Sequence, residues 1–379
     1  MTDISTGSTG SIGSAATPAT APAAAASSAV GGSIGSRKVD HIALCATEDV
    51  GFHGTTTLLE CVRLVHDALP DLHYDAIDTS LKVFGKSLRL PLCIASMTGG
   101  TEEATRINSE LAAVAEARGL AFGVGSQRAM FLRPDAAGSY RVRDLAPTTV
   151  VLGNLGVVQA REMTTSEIEK LVLAIGADAL CIHLNPAMEM VQPGGDRDFS
   201  GGLDAIARIV KELATPVIVK ETGCGISASV AKRLKNVGVR HVDVSGAGGT
   251  SWVGVETKRA EAQNDIPSKQ LGDAFWNWGI PTAASVAMVS KVGFETIFAT
   301  GGIKSGLDIV RAISLGATLG GIARPMLQSI REHGEKGAHA FVDSIEAEIR
   351  AAMLLTGSSS LDALRKTEKI VVGELAAWL

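Results

Sequence analysis

Residues 216–250, PVIVKETGCGISASVAKRLKNVGVRHVDVSGAGGT, hold one full period of the pattern that decides the fold. A short apolar run (216–220) ends in a lysine and a Gly-rich turn. A predicted helix follows over 227–236, with Ser227 as its N-cap. A second apolar run (241–245) then ends in Gly246-Ala247-Gly248-Gly249. Runs that are short, β-branched in part and apolar on both faces fit strands of a buried parallel sheet. Six more lie on either side, at 90–97, 120–125, 150–153, 179–184, 295–300 and 318–323, making eight. Helix-like stretches separate most of them. The clearest are 102–118, stopped by Gly119, then 166–175, 203–213 and 305–315, the last with Ser305 as N-cap.

Eight β/α units with no break in strand order predict an α/β chain closed as a (β/α)8 TIM barrel with a short N-terminal extension. A doubly wound nucleotide fold would carry GxGxxG after its first strand. Here that strand ends in Ser96-Met97-Thr98-Gly99-Gly100. The expected organisation has three parts. Residues 1–36 form a disordered tail, 37–89 a lead-in with a helix near 57–68 and a β-like segment at 79–90, and 90–379 the barrel with closing helices from 326 onward. In the tail, 30 of 36 residues are Gly, Ala, Ser, Thr or Pro, too little apolar surface to offset ordering entropy. It has neither the basic n-region and apolar core of a secretory signal nor the arginines of a transit peptide.

Composition narrows the function. With 46% hydrophobic residues the chain has ample core material. A net charge of −5 and no Lys/Arg run argue against nucleic acid as partner. No apolar stretch reaches the roughly 18 residues of a membrane span. The five cysteines, Cys45, Cys61, Cys93, Cys181 and Cys224, include no CxxC and read as reduced thiols of a cytoplasmic protein rather than a disulfide or zinc framework.

In such barrels chemistry concentrates on the loops after the strands. The strand ends read Met97-Thr98, Gly125-Ser126-Gln127-Arg128, Gly153-Asn154, His183-Leu184-Asn185 with Glu189, Lys220-Glu221, Ser245 to Thr250, Thr300-Gly301-Gly302 and Ala323-Arg324. Polar or glycine residues thus meet at one mouth. The late glycine turns and the start of the last βα loop could present backbone N–H groups to a phosphate. Lys220, with its stem in the barrel, needs an anionic partner, either a neighbouring carboxylate or a bound anionic cofactor.

These residues identify a resemblance. Arg37-Lys38 with His41, Ser96 to Gly100, Gly125 to Arg128, His183-Leu184-Asn185 with Glu189, Pro193 to Asp196, Ser245 to Trp252 with Glu256, and Thr300-Gly301-Gly302 resemble the type 2, FMN-dependent isopentenyl-diphosphate delta-isomerases. The likeness spans nearly all of the expected folded chain. It implies interconversion of isopentenyl and dimethylallyl diphosphate by allylic proton transfer, with FMN kept reduced at the expense of NADPH, and with Mg²⁺. It implies that Met97, Thr98, Ser126, Asn154, Lys220, Ser245, Thr250, Gly301, Gly302, Ala323 and Arg324 hold FMN. Arg37, Lys38, Gln127 and Arg128 would face the diphosphate, and Glu189 would carry Mg²⁺. His183, Asn185 and Gln192 would serve the proton transfer. A homo-oligomer, tetramer or larger, is implied as well.

Two positions depart from the family's pattern. Met188 stands where a Gln is usual, and Gly194 where an acidic residue is usual. Methionine cannot relay a proton. Either Gln192 or a water substitutes, or the chain has diverged to another prenyl diphosphate, for example in a protonation-initiated cyclisation. FMN-dependent 2-hydroxy-acid oxidases share the barrel but need a His base and an Arg clamp after the sixth strand, and 245–250 has neither. A non-catalytic remnant would have no use for Glu189, Lys220 and Arg128.

Overall fold

The computed structural model describes residues 34–379, with side chains from Arg37 onward. The expected disordered tail lies outside the described residues, apart from the backbone of 34–36, which opens the first helix, Ile34–Thr47. Eight parallel strands close the barrel: β1 (Leu92–Ile94), β2 (Ala121–Gly123), β3 (Val151–Gly156), β4 (Ala179–Leu184), β5 (Val217–Glu221), β6 (His241–Asp243), β7 (Thr296–Ala299) and β8 (Leu319–Ile322). They neighbour one another in chain order, with β8 pairing back onto β1. All eight expected strands are present, and the TIM barrel is the observed fold.

The helices form where capping chemistry specifies them. Glu102–Arg118 starts at Thr101, whose hydroxyl accepts from Ala104 N, and stops at Gly119 with φ 64°. Thr164 and Glu167 make a reciprocal capping box for Thr165–Ala174. Ser227 and Ser305 cap the helices they were expected to cap.

Two layers fill the barrel. The lower layer is apolar, with Cys93, Leu152, Cys181, Ile218, Phe298 and Leu319 packed together. A hairpin, Leu81–Val83 with Lys86–Leu88, closes that end and sets Phe84 against Phe298 and His241. The upper layer is polar. The sheet register places His183 beside Lys220 and Lys220 beside Asp243, so β4, β5 and β6 bring three ionisable groups into one row at the mouth.

The lead-in differs from expectation. Residues 57–68 are not helical: a 3₁₀ turn, Leu59–Cys61, leads into a strand, Val62–Leu64, paired antiparallel with Lys369–Val371. Tertiary contacts override the local pattern. Thr57 O accepts from Ala283 N, and a Cβ on Gly248 would stand 2.2 Å from Thr57 N, so this backbone is held against the loop after β6. The first helix, by contrast, was not expected. No helix among the described residues is long and apolar enough to cross a membrane. All five cysteines are free, with Cys45, Cys93 and Cys181 buried.

Candidate active site at the barrel mouth

A cavity of about 920 Å³ opens at the C-terminal ends of the strands. That is at the upper end of the range for small-molecule sites. Every residue to which the resemblance gave a cofactor, substrate, metal or proton-transfer role lines it, with the exception of Gln127. Gln127 is fully buried behind the wall. Its Nε2 donates to Leu171 O at 2.9 Å and its Oε1 accepts from Asn154 N at 3.1 Å. It braces the end of β3 and does not face a substrate. The lead-in adds residues the sequence did not flag, including Phe52, Thr56 and Glu60. Their place depends on Gly51–Phe52 running against Gly249–Thr250, a contact with no local signature.

Two glycine turns form the floor at the β6 and β7 ends. Gly248, Gly301 and Gly302 take φ of 114°, 95° and 76°, a region that favours glycine. The turns touch backbone to backbone. A Cβ on Gly301 would sit 2.1 Å from Gly246 O, and one on Gly249 would sit 2.3 Å from Gly302 N. This leaves backbone N–H groups beside the start of the helix Arg324–Leu355, the arrangement suited to a phosphate. Gly301→Ala brings both a clash and a disfavoured φ. We expect at least a hundredfold loss of flavin-phosphate affinity, roughly 2.7 kcal/mol or more, read by fluorescence titration with FMN, while the far-ultraviolet circular dichroism of the barrel persists.

The polar row lies along the barrel mouth. Lys220 Nζ lies 3.1 Å from Asp243 Oδ2 and donates to Glu221 O at 2.9 Å. An ammonium has three protons, so one donor is left for the cavity. The carboxylate was one of the two partners foreseen for this lysine. Thr98 Oγ1 is buried on the same wall and has no partner among the described residues. An orphaned buried hydroxyl fits a bound polar group. His183 Nδ1 stands 2.7 Å from Asn154 Oδ1, so Nδ1 carries the proton and Nε2 is left as an acceptor. Burial, with Lys220 and Lys38 nearby, pushes its pKa down to about 4, so the ring is neutral.

Lysine and arginine outnumber carboxylates seven to three along the wall. Arg37, Lys38, Arg128 and Lys304 make no ion pair among the described residues, so the cavity is strongly cationic. Lys38 Nζ donates to Gly99 O, to Ser126 O at 3.2 Å and to Tyr140 Oη at 2.8 Å. All its protons are thus engaged by the barrel, and it acts on the cavity through its charge. Burial, then Arg37 and Arg133, bring its pKa down to about 7.

Glu189 is a buried carboxylate of the mouth. It accepts from Asn185 Nδ2 (2.8 Å), Gln192 Nε2 (3.1 Å) and Asp196 N (2.8 Å). Burial raises its pKa above the ordinary carboxylate value. Among the described residues no three His, Cys, Asp or Glu side chains converge on a metal position. A hard divalent cation held by one carboxylate, waters and substrate phosphate is a normal arrangement for Mg²⁺, and Glu189 fits it. Met188, one residue earlier, lines the cavity.

The barrel is of the class found in FMN-dependent proteins. The profile of the FMN-dependent dehydrogenase family matches residues 187–371. Mandelate oxidase bound to (S)-2-phenylpropionate shares the fold, with a TM-score of 0.61 at 16% identity over 88% of this chain and 94% of that one. Nearer relatives are proteins named isopentenyl-diphosphate delta-isomerase. That of Methanothermobacter thermautotrophicus is 42% identical, covering 91% of this chain and 96% of the relative. That of Synechococcus sp. is 46% identical over 88% and 95%, and that of Methanosarcina mazei 44% over 90% and 93%. The chain belongs to the type 2, FMN-dependent isopentenyl-diphosphate delta-isomerase family.

Proposed function

We propose that this protein interconverts isopentenyl diphosphate and dimethylallyl diphosphate, with reduced FMN in the mouth cavity and Mg²⁺ at Glu189. The observation that carries the reading is the presence, in one cavity, of Arg37 and Arg128, which make no ion pair among the described residues, with the buried carboxylate Glu189. A diphosphate needs cations and a hard metal together. Arg37 and Arg128 would hold its oxygens. Asn185 and Gln192 would fix the free rotation of Glu189. The neutral His183 would accept a hydrogen bond at Nε2, and Lys220 would hold the negative edge of the flavin. When bound, reduced FMN supplies an electron-rich face and an exchangeable proton at N5. The cavity wall, with Met97, Met188 and Trp252, would keep water from the alkene. NADPH as reductant, a tetrameric or larger assembly and a cytoplasmic setting belong to the same reading.

The test is anaerobic turnover with FMN, NADPH and Mg²⁺. The purified protein should be yellow and should form dimethylallyl diphosphate. A colourless preparation that cannot be reconstituted, or flavin-loaded protein inert toward isopentenyl diphosphate, would sink the proposal. Met188 favours a second reading, because a thioether offers the alkene no proton. If a longer prenyl diphosphate turns over and isopentenyl diphosphate does not, that reading replaces the first. We expect Met188→Gln to raise the isomerisation rate severalfold. A neutral result would mean that position 188 lies outside the proton path.

Lys38 makes the binding step proton-linked. Its pKa lies near 7 in the folded protein against a reference of 10.5. Between those values the fold binds fewer protons than the unfolded chain, so this group's contribution to stability rises with pH across that window. A diphosphate nearby favours the ammonium. Pyrophosphate binding at pH 8 should therefore take up a fraction of a proton, seen by calorimetry in buffers of different ionisation enthalpy. Lys38→Met should abolish the uptake. An unchanged uptake in that variant would rule Lys38 out.

A further inference from the structure

The first helix, Ile34–Thr47, carries Arg37 into the cavity, yet of its described residues only Ile42 and Cys45 are buried. Its placement therefore depends on polar fastenings. In its first half, Lys38 is tied to the barrel as described. At mid-helix, His41 Nε2 lies 2.7 Å from Glu256 Oε1, and Arg259 Nε reaches Asp40 Oδ2 at 3.3 Å. At its C-terminal end one side chain does most of the holding. Arg324 Nε donates to Cys45 O at 2.9 Å, and its Nη2 donates to Glu48 O. Gln328 Nε2 reaches Ala46 O at 3.5 Å.

Arg324 opens the helix that follows β8, beside the glycine turns, and it lines the same cavity. Its Nη1 has no acceptor among the described residues. One edge of the planar fork is thus occupied by carbonyls at a helix C-terminus, where a cation is favoured, and the other is open to the cavity. We propose that Arg324 is a positioning residue that ties the phosphate turn to the first helix and, through that helix, sets Arg37 against the substrate's diphosphate. The inference rests on the functional reading above, in which Arg37 holds that group. It also divides the role first expected of Arg324, since cofactor binding would use only the open edge. A lysine would keep the charge but could not bracket two partners on opposite sides.

The test compares the full-length protein with Arg324→Lys and Arg324→Met, using inorganic pyrophosphate as the probe. Amide hydrogen exchange over residues 42–50 should quicken about tenfold in both variants, while the β4 amides stay protected and show an intact fold. The Kd of pyrophosphate, measured with FMN saturating for each variant, should rise about tenfold in both. Unchanged exchange over 42–50 would overturn the tether. Faster exchange with unchanged pyrophosphate affinity would overturn the positioning role. Failure of the parent protein itself to bind pyrophosphate would overturn the functional reading, while the exchange result would still judge the tether.

Discussion

Lys220→Met is expected to destabilise the barrel by about 3–5 kcal/mol and to remove most of its affinity for flavin. Lys220 and Asp243 face each other across β5 and β6, both almost wholly buried, at 9% and 7% side-chain exposure. Replacing the lysine leaves Asp243 with only the Thr300 hydroxyl and Ser245 N–H as donors. Its charge then stands unpaired where water cannot reach it. Two effects are superposed, one structural and one on the cofactor. A second substitution separates them. In Lys220→Met/Asp243→Asn the uncompensated charge is gone while the amide oxygen can still accept from Thr300, so denaturant unfolding should recover most of the lost stability. Flavin affinity should stay low, because the cation for the isoalloxazine edge is still missing. If the double variant binds FMN as tightly as the parent, Lys220 serves only the fold.

This row of residues also shows what the sequence made legible. Strands betray themselves by local composition, and barrel topology then forces their C-terminal ends together. That is why Met97, Asn154, His183, Lys220 and Ser245 could be placed at one mouth before any coordinate was known, and the cavity contains them all. Gln127 failed for a reason the same logic cannot see. It shares a turn with Ser126 and Arg128, but its backbone pairs with Asn154 O, and the side chain reaches Asn154 N and Leu171 O on the helix Thr165–Ala174. Position in a turn does not fix the direction of a side chain. Residues 57–68 failed differently. Leu58, Leu59 and Val62 are buried and their spacing suits a helix face, but the partner strand lies some 300 residues onward, at Lys369–Val371. A pairing so distant leaves no trace in local periodicity. The first helix was missed because few of its residues are buried and its fastenings are tertiary.

The fold also fails to choose a reaction. Mandelate oxidase shares the barrel at 16% identity, so architecture alone permits oxidation of a hydroxy acid as readily as isomerisation. The loop after β6 decides against the former. From Ser245 to Thr250 it supplies hydroxyls and glycine backbone, with no imidazole to take a proton from a carbinol and no guanidinium to clamp a carboxylate. Arg37 and Lys38 instead arrive from the first helix and Arg128 from the loop after β2, and they stand in one cavity with Glu189. That distribution suits a ligand with a polyanionic head and an apolar tail.

Glu189→Gln should then lower kcat/KM for isopentenyl diphosphate by about a thousandfold at saturating FMN, a transition-state loss of roughly 4 kcal/mol. The carboxylate is surrounded by three donors, Asn185 Nδ2, Gln192 Nε2 and Asp196 N. An amide at this position must turn its own NH₂ toward at least one of them, so the variant loses the negative charge and breaks the cage, at a folding cost of about 1–3 kcal/mol. The residues proposed to hold the flavin, at the ends of β1 to β3 and β5 to β8, are untouched, and FMN affinity should stay within about threefold. The pH profile gives a second readout. Burial raises the Glu189 pKa, and only the ionised form can hold Mg²⁺. In the parent protein the Mg²⁺-dependent rate should fall as pH drops, starting above the usual carboxylate range, and added Mg²⁺ should push that limb to lower pH. The variant, with nothing to ionise at 189, should lose both the limb and its metal dependence. Loss of flavin on this substitution would mean that Glu189 supports the cofactor, and an unaltered Mg²⁺ titration would place the cation elsewhere in the cavity.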